Sequence, residues 1–95
     1  MGIPAHREAE LLAQVPTGLL IDGEWRDAAG GATFDVEDPS TGKVLLSIAD
    51  ASTEDGGLAM DAAAAAQESW ARTAPRERGE ILRRAFELVT ERAED

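Results

Sequence analysis

The chain changes character at Ser52, and this change constrains its fold more than any other feature. Before Ser52, short apolar runs are separated by turn signals made of glycine, proline and aspartate. After it, the sequence is rich in alanine, and apolar residues recur at intervals of three and four. Short apolar runs and alternation of apolar with polar residues are typical of strands, whereas apolar residues spaced three or four apart are typical of amphipathic helices. The sequence therefore predicts strands followed by helices, in an α/β chain.

A β-hairpin is expected near the start of the strand region. The apolar run at residues 19–21 is separated from residues 24–26 by Asp22-Gly23, a strong signal for a two-residue hairpin turn. A second turn is expected over residues 27–31, where glycine and aspartate cluster.

A half-buried strand is expected next, over residues 33–37. Strict alternation there places Phe34 and Val36 on one face. Residues 38–42 must break this strand, because proline cannot donate to a strand ladder and Gly42 can adopt a positive φ. Residues 43–49 then resume as a strand.

Two helices are expected after residue 51. Ser52 is the predicted N-cap of the first, with Asp55 at its third position. Gly56-Gly57 weakens the first turn, and residues 58–70 favour the helix strongly. Pro75 suits the first position of the second helix. No stop signal precedes Asp95, so we expect this helix to continue into further chain that covers its apolar stripe.

The domain organisation follows from these patterns. Ninety-five residues are enough for one small domain or part of one. Residues 1–17 are interpreted as a flexible N-terminal arm, in which residues 8–15 could form a short helix, and residues 18–95 as one structural unit.

Charge and composition exclude several classes of function. The net charge of −10 would repel nucleic acid and anionic membranes. The longest apolar run, residues 62–66, is far too short to span a bilayer. The chain has no cysteine and no recognisable signal peptide, so we expect a soluble, cytoplasmic protein without disulfides.

The residues needed for common catalytic or binding chemistry are absent. Without cysteine there is no thiolate nucleophile, and His6 is the single histidine that a catalytic relay could use. No phosphate-binding glycine loop and no calcium-loop spacing is present. We therefore predict no catalytic, cofactor-binding or metal-binding residue in this chain, and interpret its glycine pairs as backbone turns.

Aromatic and basic residues have simple structural interpretations. Trp25 and Trp70 could stack on bases or sugars, but core or interface anchoring is favoured. Glutamates interleave at helical spacing with an arginine cluster, which favours surface ion pairs over an anion site. The cluster consists of Arg76, Arg78, Arg83 and Arg84.

Four motifs, in order, resemble the opening of the aldehyde dehydrogenases. Leu20-Ile21-Asp22-Gly23-Glu24-Trp25 resembles that family's Ile-Asn/Asp-Gly-Glu-Trp strand. Asp38-Pro39-Ser40-Thr41-Gly42 resembles its Asn-Pro-Ala-Thr-Gly turn, with Asp38 and Ser40 as departures. Residues 52–70 and 75–85 resemble its first two helices. The resemblance covers residues 19–95, and the bacterial succinate-semialdehyde members are the most similar.

The resemblance implies a fold and a reaction for the intact enzyme. These residues would form the outer strands and first helices of a Rossmann-like NAD(P)-binding domain, incomplete in this chain. A cysteine thiolate would add to succinate semialdehyde, hydride would pass to NAD or NADP, and a glutamate-activated water would release succinate. The residues that act in these steps lie outside this chain, so we expect the chain alone to be inactive and to bind no cofactor.

The resemblance also implies partners and one cation site. The partners are the remainder of the dehydrogenase chain, the aldehyde substrate and other copies in a homo-oligomer. Some members bind a monovalent cation through main-chain carbonyls just before the turn, and these positions correspond here to Val36 and Glu37. The alternative to a truncated enzyme is a small acidic interaction module that offers its apolar helix face to a partner.

Overall fold

The computed structural model describes residues 4–95, which form an α/β chain. The chain divides into two compact units, one ending at Ala62 and the other running from Ala63 to Asp95. The boundary between them lies inside a helix. In chain order, the elements are α1 Ala5–Gln14, β1 Leu19–Ile21, β2 Glu24–Arg26, a 3-10 turn at Ala29–Gly31, β3 Thr33–Glu37, β4 Val44–Ala49, α2 Thr53–Arg72 and α3 Pro75–Glu91.

The predicted first hairpin is confirmed. Strands β1 and β2 pair antiparallel, with Leu20 opposite Trp25. Asp22 and Gly23 both have positive φ, 53° and 76°, which the two-residue turn matching the twist of its strands requires. Glycine tolerates this conformation without strain, and aspartate is one of the few other residues that visit it.

Strands β3 and β4 form a second antiparallel hairpin. Strand β4 begins at Val44, one residue later than the sequence predicts. The register shifts between Val36 and Glu37, because Val36 faces Leu46 and Glu37 faces Val44, so Leu45 has no opposite residue. Such a bulge bends the strand and increases its twist.

Two backbone hydrogen bonds connect the second hairpin to the segments that precede β1 and β3. The N–H of Ala49 donates to the carbonyl of Thr17, and the N–H of Asp50 donates to that of Ala32, each at 2.8 Å. Among the described residues, the buried hydrophobic side chains are Ile21 and Ala28. The core of this unit is therefore small, as expected for so short a chain.

Helix α1 starts earlier than the short helix that the sequence allows. It begins at Ala5 rather than residue 8, and the N–H of Glu8 donates to the carbonyl of Pro4. Strong helix formers fill the segment, and Arg7 and Glu10 pair at 3.7 Å. Residues 1–3 of the predicted arm lie outside the described residues, and the flexibility of the arm stays a prediction.

The predicted beginnings of both later helices are confirmed. Helix α2 starts directly after Ser52, and Pro75 is the first residue of α3. In the described chain α3 ends at Glu91, and its continuation when further chain follows Asp95 stays a prediction. Turn-like bonds follow, with the N–H of Ala93 donating to Thr90 and that of Asp95 to Arg92. Acidic residues interact unfavourably with the negative helix end, which disfavours further helix there.

Candidate functional site

The most deeply buried polar side chain in the described chain is Asp55, which is 1% exposed. Its Oδ2 accepts hydrogen bonds from the Ser52 N–H at 2.8 Å and the Ser52 hydroxyl at 3.1 Å. The Asp55 N–H donates in return to Ser52 Oγ at 3.3 Å. Ser52 and Asp55 thus form a reciprocal cap that satisfies free donors at the start of α2.

The same carboxylate reaches a second segment of the chain. The N–H of Ala29 donates to Asp55 Oδ1 at 3.0 Å and to Oδ2 at 3.1 Å. Asp55 therefore fastens the 3-10 turn Ala29–Gly31 to the beginning of α2. Because both carboxylate oxygens are occupied inside the chain, this arrangement holds the backbone and offers no free group for acid–base catalysis.

Hydrogen bonding keeps Asp55 ionised. The backbone N–H of Ser52 lowers the pKa of Asp55 most, and the Ala29 N–H, the Ser52 hydroxyl and the charge of Arg26 lower it further. Burial opposes them by raising it, yet the pKa remains below its ordinary value of 3.8. A carboxylate that accepts backbone N–H bonds is favoured in its charged form.

A mainly apolar groove lies beside this junction. It encloses about 320 Å³ between β1 and the first turns of α2, and Asp55 contributes to its wall. The remaining lining residues are Gly18, Leu19, Leu20, Ile21, Ala51, Gly56 and Ala59. Its single ionisable group already has internal partners, so the groove presents apolar surface and no catalytic constellation.

The turn between β3 and β4 is held by Asp38. Its Oδ1 accepts from the Ser40 hydroxyl at 2.7 Å and the Ser40 N–H at 2.9 Å. These bonds, the hydroxyl first, lower the pKa of Asp38. Its carbonyl accepts from the N–H of Gly42 at 2.7 Å, where φ is 74° as the sequence predicts.

The two positions of the possible cation site, Val36 and Glu37, flank the register shift just before this turn. No cluster of three or more histidine, cysteine or carboxylate side chains suited to a metal occurs within residues 4–95. The prediction of a cation held by main-chain carbonyls is independent of such side chains and stays a prediction.

The other candidate residues are distant from Asp55 along the chain; they are His6, Trp25 and Trp70. His6 is an exposed residue of α1. Trp25 is 55% exposed on β2 and Trp70 is 38% exposed on α2, so neither is a core residue of the described chain. Interface anchoring by these tryptophans stays a prediction.

Ion pairs account for part of the arginine cluster, as predicted. Arg83 pairs with Glu80 at 3.0 Å and with Glu87 at 2.6 Å. Arg84 pairs with Glu87 at 3.3 Å. These pairs lie on the exposed surface of α3 and stabilise it little.

The sequence predicts the cap that Ser52 and Asp55 form, but it does not predict that Asp55 also binds Ala29. The spacing of Ser52 and Asp55 predicts the local cap. The bond to Ala29 spans 26 residues, and no short motif encodes it. Its only sequence signal is an acidic cap residue following a glycine-rich turn.

The sequence is similar to those of known proteins. The aldehyde dehydrogenase family model matches residues 25–95. Succinate-semialdehyde dehydrogenase of Paenarthrobacter nicotinovorans is 64% identical over 52 residues, which are 55% of this chain and 12% of that relative. No solved structure matches. None of the helices in the described part of the chain has the length and apolar character needed to cross a membrane. The family match runs from Trp25, inside β2, to Asp95, and the chain belongs to the aldehyde dehydrogenase family.

Proposed function

We propose that this chain is the N-terminal portion of the NAD(P)-binding domain of an aldehyde dehydrogenase that oxidises succinate semialdehyde to succinate. The observation that carries the proposal is the family match over residues 25–95. The 64% identity to a succinate-semialdehyde dehydrogenase supports this substrate. In this proposal the domain is Rossmann-like, and the intact enzyme is a cytoplasmic homo-oligomer using NAD or NADP.

Within that enzyme, we assign this segment a structural function. Its most buried polar group, Asp55, is occupied by backbone and hydroxyl donors. Its sequence contains no cysteine to act as nucleophile. The segment would thus build one part of the cofactor domain, while the nucleophile, the activating glutamate and the dinucleotide contacts belong to the remainder of the chain.

The exposed apolar face of α3 supports a larger assembly. Leu82, Phe86 and Val89 are 66–72% exposed. Burying three such side chains would contribute about 4–6 kcal/mol. Few isolated domains leave such a stripe uncovered, so its burial by the rest of a dehydrogenase polypeptide explains why it is apolar.

A graft tests the proposed function directly. Residues 25–95 would replace the matching segment of the P. nicotinovorans enzyme, and a variant with that segment simply deleted would be the control. We expect the graft to reduce the nicotinamide cofactor with succinate semialdehyde, and the deletion variant to be inactive. A well-folded graft without activity would contradict the proposal.

The isolated chain provides the complementary test. With succinate semialdehyde and either nicotinamide cofactor it should produce no reduced cofactor, and calorimetry should detect no specific NAD or NADP binding. Turnover that survives removal of contaminating dehydrogenase would show that the catalytic residues are misassigned. Micromolar dinucleotide binding would show the same of the cofactor site.

The coding sequence beyond Asp95 tests the substrate and the extent of the protein. A reading frame that continues with family-like sequence and a cysteine nucleophile supports the dehydrogenase. A stop codon followed by unrelated sequence would instead favour the acidic interaction module.

A further inference from the structure

Two aspartates of the chain are followed directly by glycine. They are Asp22, in the turn of the first hairpin, and Asp55, in the first turn of α2. Glycine has no side chain to hinder its own backbone nitrogen, so this nitrogen can approach the side-chain carboxyl of the preceding aspartate. In an Asp-Gly pair, attack of the main chain on the side chain is therefore less obstructed than before any larger residue.

The structure leaves the first pair open to this attack. Asp22 and Gly23 are both exposed. Apart from the chain neighbours of Gly23, no atom of the described chain lies within 4 Å of the point where a Cβ on that glycine would stand. The pair closes a sheet of only two strands, and such a hairpin is marginally stable and opens locally. The carboxyl carbon of Asp22 can therefore reach the nitrogen of Gly23 without disrupting packed side chains.

The second pair is held in place by hydrogen bonds. Asp55 is 1% exposed, and its two carboxylate oxygens accept from Ser52 and Ala29. The N–H of Gly56 donates to the carbonyl of Ser52 at 3.1 Å. Attack at this pair would require both groups to leave their partners and the first turn of α2 to open. Asp55-Gly56 is thus an internal control made of the same two residue types.

We propose that Asp22 is a site of spontaneous conversion to isoaspartate. The Gly23 nitrogen bonds to the side-chain carboxyl carbon of Asp22, and its proton leaves with the carboxyl hydroxyl as water. The product is a five-membered cyclic imide. Water then adds to one of the two imide carbonyls and breaks its bond to nitrogen. Opening at the side-chain carbonyl restores aspartate, whereas opening at the main-chain carbonyl leaves the chain running through the side chain as isoaspartate.

Isoaspartate would disrupt the first hairpin. It adds one carbon to the main chain inside a two-residue turn whose positive φ values match the twist of the strands. Ile21, which pairs with Glu24 across this turn, is one of the two buried hydrophobic side chains among the described residues. Loss of the pairing therefore exposes part of the small core. The proposal is independent of the proposed function, because Asp22 precedes the residues that match the family.

The test follows both Asp-Gly pairs in one sample of the chain. After incubation in native buffer or in urea, proteolysis and mass spectrometry would measure isoaspartate at Asp22 and Asp55. In native buffer it should form at least about tenfold faster at Asp22, because Asp55 must first open locally. In urea the two rates should be similar, because the structure that protects Asp55 is lost. Equal rates in native buffer, or a faster rate at Asp55, would overturn the proposal.

The variant Asp22→Asn provides a second measurement. Asn-Gly suits this turn as well as Asp-Gly does, so the hairpin should still form, and the same imide then arises with loss of ammonia instead of water. Asp27→Asn is the matched control, exposed but followed by Ala28, and should lose ammonia more slowly. As isoaspartate accumulates at residue 22, the strand NMR signals of residues 19–26 should be lost in proportion. Equal deamidation of the two variants, or unchanged strand signals after isomerisation, would overturn the proposal.

Discussion

Substituting Ser52 with alanine should loosen the beginning of α2 and leave the remainder of the helix formed. The substitution removes two hydrogen bonds, from the Asp55 N–H to Ser52 Oγ at 3.3 Å and from the Ser52 hydroxyl to Asp55 Oδ2 at 3.1 Å. The bond from the Ser52 N–H to the same oxygen, at 2.8 Å, needs no side chain and survives. The loss is therefore that of a serine N-cap, about 1 kcal/mol.

Amide hydrogen exchange followed by NMR measures this change at single residues. A loss of about 1 kcal/mol corresponds to roughly fivefold faster exchange of the Asp55 amide in Ser52→Ala. The effect should extend to the Ala29 amide, because it donates to the carboxylate that the cap holds in place. Local exchange reports on these bonds even if the chain lacks a single cooperative transition.

Ser69→Ala is the matched control in the same helix. The Ser69 hydroxyl donates to the carbonyl of Ala66, at 3.2 Å, and alanine is the better helix former. Exchange at Asp55 and Ala29 should therefore be unchanged in this variant. If Ser52→Ala and Ser69→Ala gave the same exchange rates at these two amides, the cap would not hold the junction, and the argument from its geometry would be wrong.

Three further predictions concern other parts of the chain. The folded pKa of Asp55 lies below its ordinary value. The stabilisation of the fold by the Asp55 carboxylate should therefore be complete above about pH 4 and be lost as the pH falls through the folded pKa. NMR of the Ala29 amide measures this loss, and Asp55→Asn should abolish the acid dependence. Gly18→Ala should disrupt the first hairpin in strand NMR signals, because the new Cβ would lie 2.7 Å from the Arg26 carbonyl oxygen. Gly57→Ala should instead increase helix content in circular dichroism, because its new Cβ would meet nothing within 4 Å beyond its chain neighbours and its own helix backbone. The reverse order of effects would contradict this packing. Finally, the isolated chain should bind an apolar-surface dye and exchange its amides quickly over residues 82–95, and the graft should do neither; a monomer with a sharp two-state transition and slow exchange in α3 would instead favour the interaction module.

Features that neighbouring residues determine could be predicted from the sequence. The Asp22-Gly23 turn fixed the first hairpin, because two positive φ values are needed there and these residues accept them. The spacing of Ser52 and Asp55 fixed the start of α2. In each case the decisive contacts lie within a few residues along the chain.

Other features depend on long-range contacts, or on competition between opposing energetic contributions, and no short sequence pattern encodes either. The bond from Ala29 to Asp55 joins segments 26 residues apart. The register shift after Val36 depends on which residue of β4 is left unpaired. The end of α3 at Glu91 reflects competition between helix propensity and an unfavourable acidic end. The sequence showed that Arg78 belongs to a basic cluster, but only the structure showed that its Nε lacks a partner.

The two separate hairpins also determine how this chain can aggregate. Each sheet of the described chain has only two strands, so both of its strands are edges that can pair with another molecule. The net charge of −10 opposes such pairing by repulsion between copies. Acid or high salt weakens this repulsion, and under these conditions the isolated chain should aggregate through its strand edges before its helices are lost.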